Sequence, residues 1–368
     1  PPVALCLSVA AGAGELPANS WVEISTGSKP KTPFCSAWYM HSTDEFLIWG
    51  KEFKHRHEGK VYEVQTLSLN DAAPQWKESF PLGKEKAWAG GKFPNWGCHC
   101  HRLRHKPDRP WLGDVFDRWL GNSGALNVVR FVETEGVKRP TRGLTHHQGA
   151  YDTKRNRLVF FMGRKTFAYD PKKREWSDLG AGVPACCDGL AWASLSYDPA
   201  GDRMILFGGA YALNPWGGAK TWVFDCAKNE WSKAECAGGV EPPLRCCSQL
   251  VYDSKNNVMV LFGGHALTHL LADTWTLDLA KMAWKDMKPA KSPPPIDRCA
   301  ACFLPEEGNV FLVTASVRYS SKRHSTGAAW AYDAAANAWT PLPGDLPKVN
   351  MDWISCDYSP KKKAVLLN

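Results

Sequence analysis

Seven large aromatic residues recur along this chain at nearly constant intervals: Trp21, Trp76, Phe131, Trp176, Trp231, Trp284 and Trp339. Successive differences are 55, 55, 45, 55, 53 and 55 residues. A period sustained over 368 residues restricts the chain to an array of like units, each burying a face against the next. Five intervals place an apolar or aromatic residue seven positions before the Trp: Leu69, Tyr169, Phe224, Leu277 and Tyr332. Apolar runs ending in small residues precede these, as in Phe46–Gly50, Leu158–Gly163, Met204–Gly209 and Val258–Gly264. Tyr-Asp pairs (Tyr151-Asp152, Tyr197-Asp198, Tyr252-Asp253) stand before three of the runs. Short β-branched and aromatic runs punctuated by Gly, Pro, Asn and Asp read as strands and turns. Each unit is therefore expected to hold four short strands, a to d from the inside outward.

The paired glycines closing strand b (Gly208-Gly209, Gly263-Gly264), the aromatic in strand c and the Trp in strand d resemble the repeat of the Kelch superfamily, which includes the central domain of galactose oxidase. The resemblance covers essentially the whole chain and implies an all-β fold, a single β-propeller domain over 1–368. One glycine pair becomes Met162-Gly163 and another is replaced by Thr314-Ala315. Residues 81–125 are degenerate, and in that unit only Asn127–Val132 reads as a strand. Seven aromatic slots predict a seven-bladed propeller of four-stranded blades. The last unit has strands a (Trp353–Cys356) and b (Ala364–Leu367) but no c or d, while Val3–Val9 and Ser20–Ser25 are surplus at the other end. A closing blade shared between the N- and C-termini follows, and it removes the open sheet edges. The competing reading of residues 3–14 is the apolar core of a signal peptide.

In such a blade the b–c and d–a connections leave on one face. The a–b and c–d turns are short, whereas the b–c connections 51–60, 210–219, 265–273 and 315–328 are long and unlike one another. Variable loops on a rigid scaffold are where ligands are usually met. Tyr211 and Trp216 offer stacking surfaces, and Arg318, Tyr319 and Arg323 suit an anionic or sugar ligand. Counting 14 to 16 residues past each outer aromatic reaches Cys35, His146, Trp192, Cys247, Cys299 and Trp353, expected to converge on the axis with His265 nearby. Trp192 and Trp353 fit channel packing or ligand stacking. The Cys35, His146, Cys247 and Cys299 ring admits three readings: thiols packed as small apolar residues, disulfides between blades, or a copper(I) or zinc site.

The formal net charge is +8, with acidic residues interspersed, and the basic stretch 101–109 reads as a solvated surface. No nucleic-acid-binding module is expected, and no apolar run reaches the roughly 18 residues of a membrane span. Thirteen cysteines favour an extracytoplasmic location, secreted or periplasmic. Kelch-like relatives include protein-interaction modules, sugar-binding proteins, a sialic-acid epimerase and copper-radical oxidases. The oxidase chemistry requires tyrosines around the metal, and the candidate ring has none. The expectation is a non-enzymatic binding module for a protein or glycan. The alternatives are a copper- or zinc-dependent enzyme and a structural subunit of an extracellular assembly.

Overall fold

The computed structural model describes residues 3–7, 20–24, 35–51, 62–68, 70–71, 74–80, 149–162, 165–182, 193–209, 221–266, 269–296, 299–314, 327–343 and 354–367. Two N-terminal strands come first, β1 (Val3–Leu7) and β2 (Ser20–Ile24). Five four-stranded sheets of consecutive strands follow. The first contains β3 (Cys35–Met40), β4 (Glu45–Lys51), β5 (Tyr62–Ser68) and β6 (Lys77–Phe80). The second contains β7 (Gly149–Asp152), β8 (Arg157–Met162), β9 (Lys165–Asp170) and β10 (Glu175–Gly182). The third is β11 (Ser194–Asp198), β12 (Arg203–Phe207), β13 (Thr221–Asp225) and β14 (Glu230–Lys233). The fourth is β15 (Gln249–Asp253), β16 (Val258–Phe262), β17 (Thr274–Asp278) and β18 (Ala283–Asp286). The fifth is β19 (Cys299–Leu304), β20 (Asn309–Thr314), β21 (Ala329–Asp333) and β22 (Ala338–Pro341). The chain ends with β23 (Cys356–Ser359) and β24 (Ala364–Leu367).

A sixth sheet has the order β2-β1-β24-β23, with Ala4 opposite Leu367 and Leu7 opposite Ala364. Two strands from each end thus share one sheet. Its inner strand lies at Cys356–Ser359, three residues later than the expected Trp353–Cys356. The described residues form six four-stranded sheets, against the expected seven blades. The inner strands pack side by side in the circuit β7, β11, β15, β19, β23, β3 and back to β7. The last step is direct, because the Trp38 indole N–H donates to Gly149 O at 2.9 Å. The degenerate segment 81–125 and Phe131 lie outside the described residues.

Each sheet is covered by a neighbour on both sides, so the b strands are apolar without alternation. Met204, Ile205, Leu206 and Phe207 are all fully buried. Odd and even residues of one strand serve different neighbours. Met204 and Leu206 pack with Val159 and Leu195, while Ile205 and Phe207 pack with Leu250 and Leu277. The outer tryptophans join neighbouring sheets by hydrogen bonds as well as packing. Trp231 donates to Thr166 (2.8 Å), Trp284 to Thr221 (3.0 Å) and Trp339 to Thr274 (2.9 Å), in each case on strand c of the preceding sheet.

The glycine pairs have a specific task. Gly208 has φ +75°, and Gly209 N–H donates to the Arg245 carbonyl at 3.0 Å. A Cβ on Gly208 would stand 2.3 Å from that oxygen. Gly264 N–H likewise donates to Ile296 O at 2.8 Å, so the linkers entering the fourth and fifth sheets each cross the glycines of the sheet before. Gly208→Ala is expected to cost about 2 kcal/mol or more in chemical denaturation. Gly238→Ala, also at positive φ but with nothing within 4 Å of its Cβ, should cost only about 1 kcal/mol. Equal losses at the two positions would show that the close approach is energetically unimportant.

Candidate functional site

The two faces of the ring are built differently. One carries the a–b turns 41–44, 153–156, 199–202, 254–257, 305–308 and 360–363 and the c–d turns 171–174, 226–229, 279–282 and 334–337. All ten have four residues, and all end in a residue at positive φ, mostly Asn or Asp, which reverses the chain within that length. Their polar groups are used internally. Asp152, fully buried, accepts from Arg155 N and from Arg157 Nε, both at 3.0 Å. Arg157 Nη2 reaches Cys226 O in the next sheet at 2.7 Å, and Arg203 Nη2 reaches Leu279 O at 2.6 Å. Arg155 grips Asp202 of the next a–b turn with both terminal nitrogens, at 2.6 and 2.8 Å. That guanidinium holds the Asp202 carboxyl well below the usual carboxylate range.

The opposite face carries the b–c and d–a connections. Its most completely described part is the junction entering the fourth sheet. There Arg245 is fully buried, and its Nη1 and Nη2 bind Asp273 Oδ1 and Oδ2 at 2.6 and 2.7 Å. Its remaining donors reach Gly263 O and Pro243 O at 3.0 and 3.1 Å. Burial acts to raise the Asp273 pKa, but Arg245 and the Trp275 indole N–H outweigh it and leave the carboxyl below its ordinary value. Sequence reasoning missed this pair. Its only signal was an arginine in a Pro-Pro-Leu-Arg-Cys-Cys linker and an aspartate immediately before strand c.

His265 follows Gly264 and pairs through its backbone with Cys246 in both directions, at 2.8 and 3.1 Å. It is 3% exposed, and the exposed histidine of this connection is His269. Burial, reinforced by His269, pushes the His265 pKa down to about 4. The unfolded chain, with an ordinary value near 6.5, then binds the proton first as pH falls. The stability from keeping the ring neutral is full above pH ~6.5 and is lost as pH falls toward 4, reaching about 2 kcal/mol of loss at pH 5. Urea midpoints of the wild type and of His265→Gln at about pH 7 and 5 check this. The variant should lose that part of the acid sensitivity, and an unchanged slope would remove His265 as its source.

The expected axial ring is only partly brought together. Pairing of Asp253 with Val258 and of Leu304 with Asn309 aligns the fourth and fifth sheets. On that alignment Cys299 occupies the place of Ser248, not of Cys247. Cys35, which opens β3 five residues before its end, shares the Cys299 position. A one-residue offset sends side chains to opposite faces of a strand, so Cys247 is not in register with Cys299. Cys299 is buried among Phe262, Ile296 and Leu312, and Cys302 and Cys356 are buried in the next apolar cluster. No disulfide joins any of the seven cysteines whose side chains are described. Among the described residues no group of three or more His, Cys, Asp or Glu is placed to hold a metal ion. Where the inner strands meet, the described side chains stitch them together. Ser194 Oγ donates to Ser248 O, Gln249 Nε2 to Cys299 O, and Asp357 accepts from Tyr39 N. His146, Trp192, Tyr211, Trp216, Arg318, Tyr319, Arg323 and Trp353 lie outside the described residues. No helix among the described residues is long and apolar enough to cross a membrane.

Residues 149–349 match the family model described as the KLHDC2/KLHL20/DRC7 Kelch-repeats domain. The match begins at the first residue of β7 and extends past β22, so it takes in four consecutive sheets and more than half of the 368 residues. With its glycine crossings, tryptophan clamps and four-stranded sheets, the chain belongs to this family of Kelch-repeat propellers.

Proposed function

We propose that the chain is a non-enzymatic binding module that recognises a protein ligand with the b–c and d–a face of its propeller. The observation that carries the reading is the inequality of the two faces. One is made chiefly of four-residue turns, the exceptions being the c–d connections from Leu7 to Ser20 and from Ser68 to Lys77, and its carboxylates and guanidinium groups are committed to one another. The other receives the b–c connections, long in the first, third, fourth and fifth sheets and short only in the second, where β8 ends at Met162 and β9 begins at Lys165. In the third sheet β12 ends at Phe207 and β13 begins at Thr221, and in the fifth β20 ends at Thr314 and β21 begins at Ala329. Residues 208–220 and 315–328 therefore start and finish on that face, and they contain Tyr211, Trp216, Arg318, Tyr319 and Arg323. Aromatic and arginine side chains are the usual anchors of a protein interface. Kelch domains commonly serve as protein-binding modules, which agrees with this use of the scaffold.

A photo-crosslinking amino acid placed at His269 on the loop face, or at Lys281 on the turn face, tests the reading. Both positions are exposed. A protein adduct from position 269 and none from 281 is expected. Trp216→Ala or Arg318→Ala should each weaken binding of that partner by about thirtyfold if the residue is an anchor of roughly 2 kcal/mol. Equal crosslinking from both faces, or full affinity in both variants, would overturn the assignment. An adduct lost on deglycosylating the partner would move the ligand class to a glycan.

A further inference from the structure

In an extended strand successive side chains point to opposite faces, which holds the sulfurs of two adjacent cysteines apart. Cys246 and Cys247 depart from this arrangement. They lie in the linker just before β15, and Cys247 has φ +57°. That left-handed conformation is uncommon for a residue with a Cβ. It turns the second side chain back toward the first, and the two sulfurs stand 3.7 Å apart. The two thiols differ in access: Cys246 is fully buried and Cys247 is half-buried. The backbone of Cys246 is fixed by its two hydrogen bonds with His265, so the pair is presented from a braced position. Cys247 lies outside both the strand and the bridge that Cys246 makes with His265, so its left-handed backbone sets the sulfur-to-sulfur approach.

We propose that Cys246 and Cys247 form a dithiol modification site, oxidised by a hydroperoxide to a disulfide between the adjacent residues. The accessible Cys247, as thiolate, attacks the terminal oxygen of the hydroperoxide. A sulfur–oxygen bond forms, the oxygen–oxygen bond breaks, and alkoxide or hydroxide leaves and takes up a proton. Cys246 then attacks the Cys247 sulfur, the sulfur–sulfur bond forms, and water leaves with the Cys246 proton. With hydrogen peroxide the balance is two thiols and one peroxide giving one disulfide and two waters. Sulfur supplies both electrons and peroxide oxygen receives them. The burial of Cys246 assigns it the resolving role, since an oxidant meets Cys247 first.

Trypsin isolates the pair. Cleavage after Arg245 and Lys255 releases residues 246–255, which contain these two cysteines and no other. The reduced full-length protein is treated with hydrogen peroxide, its free thiols are alkylated in acidic denaturant, and the digest is weighed. The peptide is expected unalkylated and lighter by two hydrogens, returning to the doubly alkylated form when dithiothreitol precedes alkylation. A doubly alkylated peptide after peroxide, or one whose thiols carry oxygen or are joined to another cysteine, would overturn the proposal. Cys246→Ser provides the second measurement: Cys247 should then stop at the sulfenic acid and be labelled by dimedone. Failure of Cys247 to label, with Cys246 labelled instead in Cys247→Ser, would refute the assignment of the attacking thiol.

Discussion

Arg245→Met is expected to lower the free energy of unfolding by about 3–5 kcal/mol, read as a lower denaturant midpoint at unchanged slope. The methionine fills much of the same space, so the loss comes from charge rather than volume. Arg245 is fully buried and is the principal partner of an Asp273 carboxylate that is only 28% exposed. Without the guanidinium, Asp273 keeps the Trp275 N–H at 2.8 Å but no cation, and Gly263 O loses a donor. The neighbouring junction shows what the same site looks like without ions. Ile296 receives Gly264 N–H as Arg245 receives Gly209 N–H, and Ala328 immediately precedes β21 as Asp273 immediately precedes β17. Ile296 is 1% exposed and Ala328 packs against its cluster. The double variant Arg245→Ile with Asp273→Ala is therefore expected to regain most of the stability lost in Arg245→Met. A double variant as weak as the single one would mean that the arginine acts through shape and backbone hydrogen bonds, not through its charge.

The pair also shows where reading the sequence stops. Repeating features were legible because each sheet solves the same packing problem. Trp21, Trp176, Trp231, Trp284 and Trp339 all lie in outer strands, and Trp76 immediately precedes β6. The paired ends were legible because two strands lacked partners at each terminus. The number of sheets formed by the described residues was not. An aromatic period records distance along the chain, whereas the Trp38–Gly149 hydrogen bond that brings β3 against β7 joins residues 111 apart. The candidate site fared worse for two physical reasons. A count of 14 to 16 residues is adequate to find a strand but too coarse to keep track of its pleat, which separates Cys247 from Cys299. The junctions also differ singly, Arg245 with Asp273 in one and Ile296 with Ala328 in the next, so no repeat announces them. The buried aspartates at 152, 198 and 253 had been visible only as Tyr-Asp pairs. Their work, receiving turn amides and, at Asp152 and Asp198, the arginines that begin strand b, needed the turn geometry.

Trp339→Ala should be as damaging as the loss of Arg245, at about 3–5 kcal/mol, for a different reason. The indole is 4% exposed and lies between two sheets, its ring centroid 5.0 Å from Phe262 in the preceding sheet and 4.8 Å from Tyr332 in its own. Truncation opens a cavity that these two rings line and also removes the donor to Thr274 Oγ1. Trp339→Phe separates the parts: it keeps most of the apolar volume and loses the hydrogen bond, so about 1 kcal/mol is expected. Comparison across sheets gives a sharper test. Trp284, 5% exposed, makes the same bond to Thr221 with Phe207 at 5.3 Å, so Trp284→Ala should fall within about 1 kcal/mol of Trp339→Ala. Trp231 repeats the bond to Thr166 but is only half-buried, so its alanine variant leaves a smaller cavity and should cost less than either. Equal losses at all three positions would point to the hydrogen bond as the main source of the clamp. Losses graded with burial would assign it to the ring wedged between sheets, and the spacing of these aromatics would then mark where neighbouring sheets are held together.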